Sequence, residues 1–481
     1  MIQSPLLRDI AGYINGEWTN GNTARTLAVT NPATGEHLAD VPDMSERETA
    51  AAIEASAAAL RVETPLEQRR AWLMKMVDLL TANKSELARV ITLEQGKPLT
   101  ESTIEVEYSA GFFRFYAHHI ERLRAEALPE PIKNLRWTIH HRPAGVAALI
   151  APWNFPLAML AKKLAPALAA GCTIVAKPAD LTPLTAIAFW TLAQQLDLDP
   201  GRLNLVMGKP APIGDVICSH PDVRVISFTG STAVGKHLVA GTAPHIKRLS
   251  LELGGNAPFI VLDDADPELA ADALLANKFR CAGQTCVCAN RIYIHRDLEV
   301  AFVRAVAERV KKLRVGDGID AGTDVGPLIN TAAFEKVARH VEEAMRQGAR
   351  RVVGHDLTPQ PQNWGAFYPP TVLTDVTPQM AISQEETFGP VVPIGTFDSD
   401  EEVIELANST PYGLAAYLFT GDQVRGQRII SKLRFGHIGL NNGQGPTPEA
   451  PFGGMKQSGF GREGGIEGML EFCETQVVAG S

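Results

Sequence analysis

The 481-residue sequence has no excess of basic residues, no internal repeat and no low-complexity segment. Its 45 Lys and Arg are outnumbered by 54 Asp and Glu, which gives a net charge of −9. This balance disfavours nucleic acids and anionic membranes as partners. With 45% hydrophobic and 21% charged residues, the composition is that of a globular protein with large buried cores.

Targeting and disulfide signals are also missing. The opening residues, MIQSPLLRDIAGYINGEW, contain neither a basic region followed by an apolar one nor an A-x-A cleavage site. Six cysteines in a chain of this length do not make a disulfide framework and fit a reducing compartment. We therefore expect a cytoplasmic protein.

One uncharged run, PAGVAALIAPWNFPLAMLA at 143–161, approaches the length of a membrane-spanning helix. Pro152 and Pro156 lie in this run and would break such a helix. The run therefore predicts a buried strand, a turn and the start of a helix, and we expect no membrane association.

The order of elements indicates an α/β protein. Residues 46–125 have a helical pattern that opens with a Ser…Glu capping signal. Short β-branched runs then alternate with helical runs, which predicts βαβ units and a parallel sheet. The alternation restarts after Gly254, which predicts a second α/β domain. WTIHHR (137–142) and FCETQVVA (472–479) fit neither sheet in order and predict a small outlying β element.

The segment FTGSTAVGKH (228–237) matches a Walker A loop except at its end. His237 follows Lys236 where that loop needs a Ser or Thr hydroxyl for Mg²⁺, so we do not expect an NTPase. A strand, a turn at Gly230 and a helix capped by Ser231 would still favour a phosphate, because free backbone N–H groups and the helix dipole meet there. An ordinary capped helix is the alternative interpretation.

Two further nucleotide clues have unequal weight. GFGREG (459–464) has the spacing G-x-G-x-x-G, but it follows MKQS rather than a strand and leaves no room for a βαβ unit. In KPAD (177–180), Lys177 and Asp180 follow a predicted strand and could both reach a ribose. The alternative is a strand-end lysine and a helix-capping aspartate.

A thiol cluster lies in FRCAGQTCVCANR, which contains Cys281, Cys286 and Cys288. The spacing C-x₄-C-x-C misses that of plant-type iron–sulfur sites, and the chain has no H-E-x-x-H, so we expect no metal. Either the cysteines are simply buried, or one is a nucleophile in a Gly-containing loop. A nucleophilic thiol needs local help to ionise, and Arg280 is the nearby cation in the sequence.

Together these segments resemble the aldehyde dehydrogenase superfamily. They occur in that family's order across nearly the whole chain, and GQTCVCANR is most similar to the succinate-semialdehyde dehydrogenase branch. The matching segments are PWNFP (152–156), KPAD (177–180), FTGST (228–232), LELGG (251–255), FRCAGQTCVC (279–288), EETFGP (385–390) and PFGGMKQSGFGRE (451–463).

The resemblance implies an aldehyde dehydrogenase-like α/β fold in three parts. A Rossmann-type dinucleotide-binding domain would comprise 1–123 and 145–253, and an α/β catalytic domain would comprise 254–450. A small β oligomerisation element would comprise 124–144 and 451–481, because relatives are homodimers or homotetramers in which a strand of this region pairs across subunits.

The resemblance also implies a reaction, the NAD(P)-dependent oxidation of an aldehyde to a carboxylate. Cys286 would attack the aldehyde to give a thiohemiacetal, and the Asn154 amide would stabilise the resulting oxyanion together with the backbone N–H of Cys286. Glu252 would be the base that activates water for cleavage of the thioester. The resemblance also places Lys177 among the catalytic residues. An inactive nucleotide-binding homologue is disfavoured because none of these residues is lost.

The same resemblance assigns cofactor contacts around the ribose groups and the pyrophosphate. The matching residues are Trp153, Lys177, Asp180, Gly230, Ser231, Glu386 and Phe388. The Asp180 carboxylate would accept a hydrogen bond from a ribose 2′-OH and repel a 2′-phosphate. We therefore expect NAD as the preferred cofactor, with NADP possible.

For the substrate, the resemblance implies contacts from Lys162, Arg280, Phe155 and Phe452. Succinate-semialdehyde relatives have Arg at the position of Lys162, and lysine lacks the bidentate fork. They also carry Ser where this chain has GPTPEA (445–450). We expect succinate semialdehyde; glutarate semialdehyde, 2-oxoglutarate semialdehyde or a general aliphatic aldehyde is the alternative.

Two cysteines raise further questions. Cys281 stands where relatives commonly have Asn, and the sequence offers no account of it. Relatives with the Cys286–Cys288 pair can form a reversible disulfide, so Cys288 is a candidate for an oxidative switch.

Overall fold

The computed structural model describes residues 2–130, 132–355 and 365–480. Strands and helices alternate through most of the chain, as expected for parallel sheets joined by crossover helices. The strands are β1 (Gly12–Ile14), β2 (Glu17–Thr19), β3 (Thr26–Thr30), β4 (His37–Pro42), β5 (Glu126–Ala127), β6 (Arg136–Pro143), β7 (Val146–Ile150), β8 (Thr173–Lys177), β9 (Leu203–Leu205), β10 (Val223–Thr229), β11 (Arg248–Glu252), β12 (Ala257–Val261), β13 (Ala289–His295), β14 (Arg350–Val353), β15 (Thr371–Thr374), β16 (Val391–Phe397), β17 (Ala415–Phe419), β18 (His437–Leu440), β19 (Gly459–Phe460) and β20 (Cys473–Gly480).

The helices begin with an antiparallel group before the first central strand, which confirms the helical pattern expected over 46–125. Later helices mostly connect successive strands. The helices are α1 (Glu46–Ala59), α2 (Leu66–Ala82), α3 (Lys84–Gln95), α4 (Leu99–His119), α5 (Pro156–Ala170), α6 (Pro183–Ala193), α7 (Pro210–Ser219), α8 (Thr232–Thr242), α9 (Pro267–Lys278), α10 (Glu299–Val310), α11 (Thr331–Arg346), α12 (Ala381–Gln384), α13 (Asp400–Asn408), α14 (Gln423–Ile430) and α15 (Gly465–Leu470).

The first sheet has the order β19-β11-β10-β7-β8-β9-β1-β2. Strands β11, β10, β7, β8 and β9 are parallel, while β19, β1 and β2 pair antiparallel at the edges. The chain runs outward from β7 through β8 to β9 and then returns to β10 on the other side. In open parallel sheets, ligands bind at the carboxyl ends of strands where the order reverses in this way. The ends of β7 and β10 are therefore the place to look for a site.

The second sheet has the order β14-β15-β16-β13-β12-β17-β18, and all its pairs are parallel except β14 with β15. Its central strand β12 is buried along its whole length, which explains the unbroken apolar run in the sequence. The two sheets confirm the predicted α/β class. The exact domain boundaries stay predictions, and β19 joins the first sheet although the sequence grouped it with the outlying element.

The outlying element is a three-stranded sheet, β20-β6-β5. Strand β20 pairs with β6 along eight residues, from Cys473 opposite Pro143 to Gly480 opposite Arg136. Residues 474–480 of β20 are exposed. The strand pairing of the two segments agrees with the sequence, and their role between subunits stays a prediction.

The uncharged run at 143–161 folds as expected into strand β7, a turn and the start of α5. Phe155 is the residue before α5, and Pro156 occupies its first turn, where a missing N–H costs nothing. Within the described ranges, no helix combines the length and the apolar character that crossing a membrane requires.

A buried carboxylate, Glu94 of α3, caps helix α6. Its two oxygens accept hydrogen bonds from the backbone N–H groups of Leu184 at 2.8 Å and Thr185 at 2.7 Å. These N–H groups lie in the first turn of α6 and have no partner within the helix. Burial raises the pKa of Glu94 to about 8. The contact fixes the start of the helix that follows KPAD.

We predict that Glu94→Ala lowers the free energy of unfolding by about 2–4 kcal/mol, because it leaves two buried N–H groups unpaired. Urea denaturation followed by circular dichroism measures the change. Glu54→Ala, which removes an exposed carboxylate from α1, is the matched control and should stay within about 0.5 kcal/mol of the parent. Equal midpoints for the two variants would contradict the capping role.

Candidate active site

A cavity of about 570 Å³ lies at the carboxyl ends of β7, β10 and β11, facing loops of the second sheet. It is the place indicated by the reversal of strand order. Segments from the first sheet and its following turns contribute 152–155, 229–231 and 252–254, and segments from the second contribute 285–287, 386–388 and 444–447.

Cys286 lies in the loop between α9 and β13 and lines this cavity. It is half-buried, whereas the other five cysteines are buried. The sequence left open whether the thiols were simply buried or one was a nucleophile. The structure separates them, because Cys286 is the accessible thiol.

The loop before Cys286 has an unusual backbone. Cys281, Ala282 and Gly283 have φ of 53°, 54° and 75°, a left-handed run that non-glycine residues seldom adopt. At Gly283 a side chain has no space, since a Cβ would lie 2.2 Å from the carbonyl oxygen of Gly389. Such strain persists only where surrounding contacts hold it, and it is typical of functional sites.

Two contacts from the first helices hold this run in place. Glu101 accepts the backbone N–H of Cys281 at 2.7 Å, and Gln95 donates its amide N–H to the Cys281 sulfur at 3.2 Å. Burial raises the pKa of the Cys281 thiol to about 12. Cys281 is therefore a packed structural thiol that receives a hydrogen bond.

The Cys286 thiol is protonated at neutral pH. Burial raises its pKa to about 12; Lys162 opposes this effect, and the carboxyl groups of Glu386 and Glu252 add to it. An effect of Arg280 on the ionisation of this thiol stays a prediction. The cation with the largest opposing effect is Lys162.

Asn154 follows β7 and is held from both sides. Its side-chain amide donates to the carbonyl of Gln284 at 2.9 Å, which leaves the second amide hydrogen available. Its own carbonyl accepts from Lys97 at 2.6 Å. Lys97 also pairs with buried Glu105 at 2.7 Å, and Glu105 accepts the N–H of Leu157 at 2.9 Å in the first turn of α5.

Glu252 ends strand β11, and neither of its buried carboxylate oxygens has a hydrogen-bond partner within the described chain. Burial, reinforced by the charge of Glu463, holds the pKa of Glu252 well above its ordinary value. An unpaired buried carboxyl is costly in a fold, and raised values of this kind are characteristic of general bases.

Sequence reasoning assigned no role to Glu463, which lies within GFGREG. Its carboxylate contacts the ammonium groups of both Lys162 and Lys163, and all three side chains are buried. Lys163 also donates to the Thr229 hydroxyl at 2.7 Å. Burial acts to raise the pKa of Glu463, but the two lysines hold it below its ordinary value. Two sequence signals covered this residue, the rejected GFGREG spacing and the matching segment PFGGMKQSGFGRE.

This ion cluster changes the expectation for Lys162. The residue lines the cavity and its ammonium lies 5.3 Å from the centre of the Phe452 ring, but it is already paired with Glu463. Arg280 lines the same cavity, with its guanidinium carbon 5.4 Å from the centre of the Phe155 ring. The two cations predicted to hold a substrate carboxylate are therefore not equally available.

The predicted pyrophosphate and nicotinamide contacts also border the cavity. Ser231 is the N-cap of α8, and its hydroxyl accepts the N–H of Val234 at 3.3 Å. Trp153 packs edge-on against Phe388, with ring centres 5.6 Å apart. Gly230, which precedes Ser231, lines the cavity as well. A helix N-terminus beside aromatic rings fits the diphosphate and base of a dinucleotide.

Glu386 fits the neighbouring ribose. Its carboxylate accepts the N–H of Gly255 at 3.2 Å, and burial raises its pKa to about 7. At Gly254 an added Cβ would lie 3.2 Å from the other oxygen of Glu386, so a side chain there would fill space beside the carboxylate. The donor and acceptor groups present are compatible with a nucleotide.

Lys177 and Asp180 do not border the cavity itself. Lys177 ends β8, the strand beside β7; it donates to the carbonyl of Pro178 at 3.0 Å, and burial lowers its pKa to about 8. Asp180 is exposed three residues later. A dinucleotide lying across the strand ends would reach them at its far end.

The described residues contain no group of three or more His, Cys, Asp or Glu side chains placed to hold a metal ion.

Cys288 is buried, and its thiol donates to the carbonyl of Gly283 at 3.2 Å. A disulfide between Cys288 and Cys286 stays a prediction; peroxide inactivation that a reductant reverses in the parent but not in Cys288→Ala would support it.

Residues 18–478 match the family described as the aldehyde dehydrogenase family. The chain belongs to this family. It is 48% identical over 480 residues to the mitochondrial succinate-semialdehyde dehydrogenase of Arabidopsis thaliana, covering 99% of this chain and 90% of the relative. It is 42% identical over 482 residues to the 3-sulfolactaldehyde dehydrogenase of Pseudomonas putida, covering 99% and 98%.

Solved structures agree with this assignment. The chain superimposes on an oxidoreductase from Marinobacter aquaeolei with a TM-score of 0.97 and 53% identity, covering 100% of both chains. The aldehyde dehydrogenase fold, the oxidoreductase activity and the use of NAD(P) therefore hold for this chain. The resemblance stated from the sequence is confirmed.

We predict that alkylation of Cys286 in this aldehyde dehydrogenase by iodoacetamide accelerates about tenfold per pH unit from about pH 7 to about pH 9. The rate rises with pH because the pKa of the thiol is raised. The thiolate is the minor form below about pH 12, and its fraction grows as the pH increases. Mass spectrometry of the modified peptide measures the rate, and Cys286→Ser is the control. A plateau below pH 9 would show instead an acidic thiol.

Proposed function

We propose that this aldehyde dehydrogenase oxidises an ω-carboxy aldehyde, with succinate semialdehyde as the leading candidate. The observation that carries the proposal is Arg280. It shares a cavity with Cys286, makes no hydrogen bond to another described residue, and its Nε is buried without a partner. A half-buried guanidinium whose donors have no partner in the described chain favours a carboxylate, which it can bind through two hydrogen bonds.

The proposed chemistry begins with Cys286. Its sulfur attacks the aldehyde carbon while its proton passes to water, and the oxyanion is stabilised by the free amide hydrogen of Asn154 and the backbone N–H of Cys286. Ser231, Trp153 and Glu386 would hold NAD(P), which when bound would supply the hydride acceptor for that carbon. Glu252 then takes a proton from water, which attacks the thioester; the C–S bond breaks, and the acid leaves with the thiol restored.

The placement of Glu252 supports this assignment. Both its oxygens lack hydrogen-bond partners in the described chain, so the carboxylate is free to bind water. Its raised pKa makes it a stronger base once it is ionised. The lysine pair at Glu463 supplies nearby positive charge that opposes the rise.

The names of relatives support an anionic tail. Succinate semialdehyde and 3-sulfolactaldehyde, after which the Arabidopsis and Pseudomonas relatives are named, both pair an aldehyde with an acidic group. Glutarate semialdehyde and 2-oxoglutarate semialdehyde share this chemistry and remain the near alternatives. An uncharged aliphatic aldehyde would leave the buried Nε of Arg280 without a hydrogen-bond acceptor, which costs free energy.

We predict that Arg280→Ala lowers kcat/KM for succinate semialdehyde about 30- to 100-fold, mainly through KM, because a bidentate charged hydrogen bond is lost. Propanal should be oxidised at an unchanged rate. Arg280→Lys, which keeps the charge without the fork, should fall between the parent and the alanine variant. Equal losses of kcat/KM for succinate semialdehyde and for propanal would contradict the assignment of carboxylate recognition to Arg280.

We further propose NAD as the preferred cofactor. Asp180 is exposed at the turn after β8, where its charge would act on the 2′ position of the adenine-side ribose. A hydroxyl there can donate to the carboxylate, whereas a phosphate would meet a like charge.

We predict that Asp180→Ser raises kcat/KM for NADP⁺ by about tenfold while lowering that for NAD⁺, since the like-charge repulsion and the 2′-OH contact disappear together. Initial rates of reduced-cofactor formation measure both values. Asp197→Ser removes an exposed carboxylate in the loop after α6 and is the control. A parent enzyme that uses NADP⁺ as well as NAD⁺ would contradict the preference.

A further inference from the structure

In the loop 443–447, the residue beside the guanidinium of Arg280 is a glycine, Gly445. A Cβ added at Gly445 would lie 3.4 Å from Nη2 and 3.6 Å from Nη1 of Arg280. Both distances are ordinary van der Waals contacts, so a methyl group would fit without a clash. Any larger side chain would extend across the two nitrogens that a substrate carboxylate needs.

Backbone conformation does not require glycine at this position. Sixteen glycines of the described chain have positive φ, and Gly445 is not among them. The usual reason for a glycine in a loop, access to left-handed φ, is therefore absent. What remains is the lack of a side chain, which leaves room for a methyl-sized group beside the nitrogens of Arg280.

The position of Gly445 is fixed by its neighbours. The carbonyl of Gln444 accepts from His437 at 3.2 Å, and the Gln444 N–H donates to the Asn442 side chain at 2.7 Å. The carbonyl of Gly443 accepts from the Asn277 amide at 2.9 Å. The space over Arg280 is thus a property of an anchored loop.

We propose that Gly445 is a specificity-determining residue of the substrate-tail site. It lets Arg280 bind an anionic group whose neighbouring carbon carries a substituent, so that 2-substituted ω-oxo acids are substrates beside unsubstituted ones. The inference rests on the proposed function, because it assumes that Arg280 binds the anion. Phe155 packs near the guanidinium as well, and Gln444, Pro446 and Thr447 line the same part of the cavity.

The experiment compares succinate semialdehyde, its 2-methyl derivative and propanal with the parent, Gly445→Ala and Gly445→Val. The parent should oxidise the two acids with kcat/KM values within about tenfold of each other. A difference of one methylene in a pocket typically changes kcat/KM by at least about this factor, so a smaller difference indicates that the substituent fits. Gly445→Val should lower kcat/KM for the 2-methyl acid at least about tenfold more than for the unsubstituted acid. Gly445→Ala should show the same order with a smaller difference, and in both variants kcat/KM for propanal should fall less than kcat/KM for either acid.

Gly214→Ala is the control, because a Cβ at Gly214 meets nothing within 4 Å and lies on helix α7, far along the chain from the tail site. It should match the parent on every substrate. Equal losses on both acids, no loss at all, or a parent that rejects the 2-methyl acid by more than about a hundredfold would overturn the role of Gly445. A parent that oxidises propanal better than either acid would instead overturn the proposed function and, with it, this inference.

Discussion

The active site depends on a short segment that comprises the end of helix α3, the connecting turn and the start of helix α4. Residues 94–105 place buried polar groups against three separate parts of the molecule: the start of α6, the turn before α5 and the loop that carries the nucleophile. The central contact is the ion pair of Lys97 and Glu105, whose side chains are fully buried. Removing one partner of such a pair leaves an uncompensated buried charge, at a cost of about 3–5 kcal/mol. Disrupting the ion pair of Lys97 and Glu105 would therefore strongly destabilise the segment that makes the other contacts.

Electrostatics in the cavity follow from where the positive charge is placed. Two lysines pair with Glu463, while Glu252 has no hydrogen-bond partner among the described residues and keeps a raised pKa. Because Lys162 also opposes the rise at Cys286, one ion cluster influences both the nucleophile and the base. The arrangement leaves Arg280 as the cation with free donors, which is why substrate recognition is assigned to it rather than to Lys162.

Local signals in the sequence account for much of the fold. Buried parallel strands are continuous apolar runs, and Ser231 and Pro156 are ordinary helix-start residues, so these elements could be predicted. The motif FRCAGQTCVC located the thiol loop, and the family resemblance pointed to Cys286. The residue types alone did not separate the three thiols, whereas their exposure does. Contacts between distant residues could not be predicted, since Lys163 and Glu463 are 300 positions apart and neither has a local pattern. The raised thiol pKa was missed for the same reason, because burial is a tertiary property.

The left-handed run before Cys286 shows why the segment 94–105 matters for chemistry. Residues in such conformations cost about 1–3 kcal/mol each unless their surroundings hold them. Asparagine tolerates positive φ better than cysteine does, so Cys281 increases the strain that other contacts must offset. Glu101 and Gln95 supply those contacts, and they come from the same segment that fixes Asn154 through Lys97. The loop that carries the proposed nucleophile and the proposed oxyanion donor Asn154 are thus held by one segment, although they lie beside different sheets.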